Sequence, residues 1–106
     1  MSYRLRPATL DDVDLLVHHR VQMFLDMGVA LDAPALDAAF RGWLAKQMPI
    51  GVYRAWLVEA ADGRVVAGGG ISILPWPPGP NYMGDTTAVV YNVYTEPEHR
   101  LGESEP

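Results

Sequence analysis

The sequence predicts an α/β protein of the α+β kind, in the order strand, helix, helix, strand, strand, strand. The expected product is a mostly antiparallel four-stranded sheet with two N-terminal helices. Three observations predict it. Between residues 9 and 48, apolar side chains recur at spacings of three and four behind helix-start signals. From residue 53 onward the chain changes to runs rich in β-branched and aromatic residues. The Asp62-Gly63 pair between the first two of those runs is a hairpin signal.

Residues 2–6 alternate polar and apolar side chains before Pro7, which suits a short strand stopped by a proline. Thr9 is placed to cap a helix, with Asp11 and Asp12 in the first turn, where negative charge is favourable. Leu10, Val13, Leu16, Val17, Val21, Phe24 and Leu25 then form one apolar stripe that ends at Gly28. His18 and His19 are adjacent on this helix and point about 100° apart, which excludes a chelating pair and leaves both expected in solvent. Asp32 before Ala33-Pro34 starts a second helix, because proline is tolerated in a first turn. Its buried face is Leu36, Phe40, Trp43 and Leu44; Pro49 ends it, and Gly51 opens the connection to the sheet.

Residues 53–60 and 65–74 form the hairpin around Asp62-Gly63. Gly68-Gly69-Gly70 weakens the second of these strands and marks a bulge, or a place where another group approaches the backbone. The run 75–81, with four prolines among seven residues, is expected to be a stiff surface loop that forms no ladder. It is too short and too enclosed by strands for a proline-rich SH3 or WW ligand. Residues 86–95 form the last strand, apolar on both faces around Asn92, and such a strand expects cover on both sides.

With 106 residues the chain fits one domain, and a 49% hydrophobic content is enough for a folded core. Eight basic against 13 acidic side chains, a net charge of −5, give no basic stripe to neutralise phosphates, which argues against a nucleic-acid partner. The same balance hints at a cationic small molecule. Cysteine is absent, which removes disulfides and thiolate chemistry. No run approaches membrane-spanning length and the N-terminus lacks a signal-peptide core, so no membrane association and a cytoplasmic location are expected. Glu96, Glu98 and His99 lack a metal-ligand spacing, and no metal is assigned.

Three segments carry a resemblance. They are Arg4-Leu5-Arg6-Pro7-Ala8-Thr9 with Asp11-Asp12, the stretch 20–28 that begins at Arg20, and the run Tyr91-Asn92-Val93-Tyr94-Thr95-Glu96-Pro97-Glu98-His99-Arg100. Together with the element order, they resemble the N-terminal half of the Gcn5-related N-acetyltransferase (GNAT) superfamily. The resemblance implies a partial GNAT fold and acetyl-CoA as cofactor. Backbone groups of Val93, Tyr94 and Thr95 would bond the pantetheine arm, unless they merely complete the sheet. Arg100, Leu101 and Gly102 would begin the phosphate loop, although the family's glycine three residues after the arginine is replaced by Glu103. The stretch 20–28 resembles a segment that shapes the acceptor side in some relatives.

The family's reaction is attack by a substrate amine on the thioester, helped by a general base and commonly a tyrosine acid. The element that carries the tyrosine has no counterpart in this sequence. Asp26, Tyr91, Asn92 and Glu96 are the remaining polar candidates, although a structural role is the expected one for each, since a polar group near a core usually just satisfies a hydrogen bond. Loss of roughly three cradle amides at about 1.5–3 kcal/mol each would weaken cofactor binding by about a thousand-fold or more. Activity is therefore expected to be impaired or dependent on assembly, and residues 102–106 are compatible with a shifted reading frame. The alternative expectation is a non-enzymatic interaction module, a homodimer formed through the strand at 86–95 or its faces.

Overall fold

The computed structural model describes residues 2–100. Strand β1 (Arg4–Pro7) leads through a 3-10 turn (Leu10–Asp12) into α1 (Val13–Asp26) and α2 (Ala33–Gln47). Three strands follow, β2 (Tyr53–Glu59), β3 (Val65–Pro75) and β4 (Thr86–Thr95), with a last 3-10 turn at Pro97–His99. The sheet keeps chain order, β1-β2-β3-β4, each strand antiparallel to the next. The predicted order and sheet are both present.

Local chemistry explains the helix starts. The Thr9 hydroxyl accepts from the Asp11 N–H and the Asp12 carboxylate accepts from the Thr9 N–H at 2.8 Å, a capping box that opens the 3-10 turn ahead of α1. Asp12 is buried and takes both Arg6 Nη atoms at 2.9 Å, while Arg6 Nε donates to Glu59. The forked pair ties the helix start to β1 and β2, and hydrogen bonds from Arg6 hold the Asp12 carboxyl below the usual carboxylate range against the cost of burial. Asp32 caps α2 through the Ala35 N–H at 3.0 Å, with Pro34 in the first turn.

The core joins Leu16 and Val17 of α1 and Phe40 and Leu44 of α2 to Tyr53, Ala55 and Leu57, the alternate residues of β2. Leu10 and Leu25, expected in the apolar stripe, are instead exposed near the two ends of the α1 region. His19 corrects the expectation in the opposite sense, since it is only 2% exposed. It lies one turn from Leu16 on the same face, packs at a tilt against the Tyr94 ring at 5.3 Å, and occupies the space beside Gly68 that a side chain would fill. Its Nε2 has no hydrogen-bond partner among the described residues, and burial, assisted by neighbouring His18, favours the neutral ring. Among the described residues no helix is long and apolar enough to cross a membrane.

The irregularity expected at the triple glycine is present, with the extra residue on the facing strand. The hairpin between β2 and β3 closes through a three-residue loop, with Gly63 at φ 85° and its N–H bonded to the Ala60 carbonyl, as in a turn followed by a left-handed glycine. The triple glycine is regular against β2, and the bulge it suggests is carried by β4. Gly68 pairs with Tyr94 but Gly70 pairs with Tyr91, so β4 holds one residue more, and Asn92 there has φ 59°. The glycines serve close approach instead: the Tyr53 hydroxyl lies where a Gly70 methyl would be.

The run 75–81 also departs from its expected loop. Trp76 donates to the Asp85 carbonyl at 2.8 Å, and Gly79 and Tyr82 exchange two backbone bonds, so the β3–β4 hairpin extends to a tip at Pro80-Asn81. The prolines fall at positions whose N–H the ladder does not need. β4 is an edge strand, and Val90 and Val93 are each 65% exposed, so the expected cover on both sides is absent among the described residues.

Candidate functional site

The bulge in β4 builds the site. A left-handed backbone is costly for most residues, but asparagine adopts it readily. The extra residue turns the Asn92 side chain into the interior, where it is 8% exposed and bonded at both ends of its amide. Its Nδ2 donates to Tyr53 Oη at 2.7 Å, and its Oδ1 accepts from Arg20 Nη1 at 2.5 Å. The Arg20 guanidinium lies over the rings of Phe24, 5.1 Å away, and Phe40, 4.9 Å away. Phe40, Trp43 and Tyr53 form an aromatic cluster, with Phe40 and Trp43 stacked at 5.7 Å. Burial pushes the Tyr53 hydroxyl pKa up, opposed by the Asn92 amide and the Arg20 charge, so the phenol stays protonated.

Together these groups enclose an open cavity of about 360 Å³, lined by Arg20, Leu36, Ala39, Phe40, Trp43, Tyr53, Tyr91 and Asn92. One residue further along β4 a second hollow of about 300 Å³ begins, lined by Val93, Tyr94 and Thr95 opposite Met23, Asp26 and Met27, with Arg100. Arg100 donates from Nε to the Thr95 carbonyl at 2.7 Å and from Nη2 to Asp26 at 2.5 Å, and it lies 5.2 Å over the Tyr94 ring. Burial, with the nearby Glu96 and Asp26 charges, raises the Tyr94 hydroxyl pKa. Asn92 lines the cavity, and the lining of the groove starts at the next residue, Val93.

The candidates from the sequence separate accordingly. Tyr91 and Asn92 line the cavity; Val93, Tyr94, Thr95, Asp26 and Arg100 line the groove. Glu96 lines neither, and its carboxylate lies 3.0 Å from His18 Nε2. Leu101 and Gly102 lie outside the described residues. Among the described residues, no three His, Asp or Glu side chains cluster as a metal site would require.

Comparison with solved structures places this arrangement. A GCN5-related N-acetyltransferase from Ralstonia eutropha JMP134 superposes with a TM-score of 0.81 at 34% identity, over 95% of this chain and 67% of its own. The chain belongs to the GNAT family. A predicted acetyltransferase from Clostridium acetobutylicum, solved with acetyl-CoA, has the same fold, with a TM-score of 0.77 at 22% identity over 95% of this chain and 64% of its own. A possible acetyltransferase from Clostridium difficile 630 matches with a TM-score of 0.69 at 17% identity over 96% of this chain and 62% of its own. The chain thus spans about two thirds of the length of these GNAT-fold structures. No protein-family model and no curated protein matches it.

Two site residues are not singled out by sequence patterns. Tyr53 reads as an ordinary strand residue, and Arg20 only as the head of the acceptor-side segment. For Tyr53 the available signal is the glycine run, since three missing side chains imply a large neighbour. For Arg20 it is the four-residue spacing to Phe24, which brings a cation over a ring on one helix face.

Proposed function

We propose that this chain supplies the cofactor strand and the acceptor pocket of an N-acetyltransferase that moves an acetyl group from acetyl-CoA to the amine of a small molecule. The observation that carries the reading is the junction at Asn92. A hollow along the bulged edge strand of a GNAT sheet opens directly beside a separate aromatic cavity.

The donor set of the groove fits the cofactor. β4 is an edge of the sheet, and beyond the bulge its backbone suits the amides of an extended pantetheine-like arm, as added strands suit exposed edges. Bound acetyl-CoA supplies the thioester. This chain's own part is positional. Val93, Tyr94 and Thr95 line the arm's path, while the Asn92 amide, held by Arg20 and Tyr53, keeps the wall between groove and cavity fixed. Phe40, Trp43 and Tyr91 shield the amine's side from water.

Arg100, the one described residue of the expected phosphate loop, is engaged by Asp26 and Thr95. Weak binding by this chain alone is therefore part of the reading. Titration of the ¹⁵N-labelled protein with acetyl-CoA tests it. Saturable shifts are expected at the amides of Val93, Tyr94 and Thr95 and on the facing turn of α1. An unchanged spectrum at a cofactor concentration of several millimolar, about −4 kcal/mol or weaker, would remove the reading.

The edge of β4 favours a second reading, association of two copies through this strand. Val90 and Val93 at 65% exposure and Tyr91 at 38% leave an apolar surface beside unpaired backbone groups. A stable dimer would bury about 1,600 Å² or more. Sedimentation at micromolar concentration is expected to show the dimer mass; monomer throughout would exclude this association.

A further inference from the structure

The geometry points to an acceptor that carries a carboxylate together with its amine on an apolar, aromatic-sized body, and to Arg20 as the residue that selects it. This inference rests on the acetyltransferase reading and names its substrate class.

Arg4, Arg6, Arg41, Arg64 and Arg100 each pair with an aspartate or glutamate. Arg54 is exposed and donates to a backbone carbonyl. Arg20 differs from both groups. It is partly buried, it lies against Phe24 and Phe40, and its one hydrogen bond among the described residues is to the neutral Asn92 amide. No carboxylate pairs with it among the described residues, and apart from Nη1 its N–H groups meet no protein acceptor there. Aromatic faces attract the charge but do not replace the acceptors that a guanidinium fork is shaped to meet. A partly desolvated cation with neutral partners is costly until an anion arrives, and a planar carboxylate can be held bidentately.

The rest of the cavity says what that anion is attached to. Leu36, Phe40, Trp43, Tyr53 and Tyr91 offer apolar and aromatic surface, and among the described residues no acidic side chain lines it. A second ammonium, as in a polyamine, would therefore find no counter-charge and would face Arg20. The volume of about 360 Å³ lies near the lower end of small-ligand sites, roughly 300–1,000 Å³. The charge balance, which taken alone favours a cationic ligand, does not oppose this one. A chain of net charge −5 repels free anions, whereas an amino-acid-like zwitterion is neutral overall and feels mainly the local field of Arg20.

The test compares ligands that differ in one group, by calorimetric titration of the 106-residue protein without acetyl-CoA: L-phenylalanine, phenethylamine, O-phosphoethanolamine and spermidine. Phenylalanine is expected to bind about tenfold or more tighter than phenethylamine, the scale of a charge-assisted hydrogen bond. Arg20→Met, which keeps the apolar stem, is expected to bring that ratio to about one. Arg20→Lys, which keeps the charge without the fork, should fall between, and it preserves the test if the methionine variant does not fold. Equal binding of phenethylamine or spermidine, preference for O-phosphoethanolamine, a ratio that survives Arg20→Met, or no binding of phenylalanine would each overturn the inference. Acetyl-CoA titrated into the same sample reads the acetyltransferase proposal separately. Its failure beside a preserved ligand ratio would remove the reaction and leave the selective pocket.

Discussion

Asn92→Ala is expected to destabilise the fold by about 2–5 kcal/mol, and Asn92→Gly by clearly less. Two losses combine in the alanine variant. A residue with an ordinary Cβ at φ 59° costs roughly 1–2 kcal/mol, because the side chain crowds its own carbonyl. Removal of the amide leaves Tyr53 Oη buried without its donor and Arg20 without its acceptor, about 1–3 kcal/mol for groups of this kind. Glycine removes the amide but not the left-handed backbone, so it should show only the second loss. Urea denaturation with an unchanged slope reads the difference directly. If the two variants unfold together, the bulge is not held by its backbone preference, and the wall between cavity and groove has another cause. The functional consequence has the same origin. Without the amide, Arg20 loses its fixed direction and the cavity its boundary with the groove, so ligand and cofactor shifts at 93–95 should broaden or vanish.

How far the sequence makes this legible depends on how local the physics is. Thr9 and Asp32 are readable as caps because the groups they satisfy lie two or three residues away. Chain order and hairpin signals suffice for the sheet for the same reason. His19 is different: its burial depends on Gly68, nearly fifty positions later, leaving room across the sheet. The helical pattern alone gives no reason to prefer His19 over Leu25 as an inward residue. Proline content misleads at 75–81 because it reports which N–H groups are missing, whereas the ladder at Trp76 and Gly79 needs only the ones that remain. In the site, the family motif draws attention to the run around Asn92. The partners Arg20 and Tyr53 come from a helix and another strand, and only the folded chain brings them within 2.7 Å of that amide. The pocket's sign is likewise hidden. A net charge of −5 says nothing about one cation that has no carboxylate partner among the described residues and lies beside two phenylalanine rings.

Leu57→Ala is expected to cost about 2–5 kcal/mol, since Leu57 is fully buried in the middle of β2 and the cavity it leaves is walled by sheet and helix. Its neighbour across the ladder makes the prediction sharper. Gly68 pairs with Leu57, and a methyl there would lie 3.0 Å from Leu57 Cδ2, 3.0 Å from His19 Nδ1 and 3.1 Å from the Trp56 carbonyl. Gly68→Ala alone should therefore destabilise by about 1–3 kcal/mol through overpacking. In the Leu57→Ala background one of those obstacles is gone, and His19 can shift into the vacated volume. The double variant should be less damaged than the sum of the two by about 0.5–3 kcal/mol. Strict additivity in a denaturation cycle would show that the Trp56 carbonyl, which cannot move without breaking the β2 backbone, alone sets the limit at position 68. Coupling would have a further reach, because His19 packs against the Tyr94 ring and Tyr94 lines the groove. Relaxation at Leu57 would then pass through the imidazole to the strand proposed to receive the cofactor, and the glycine run would be part of what keeps that strand in place.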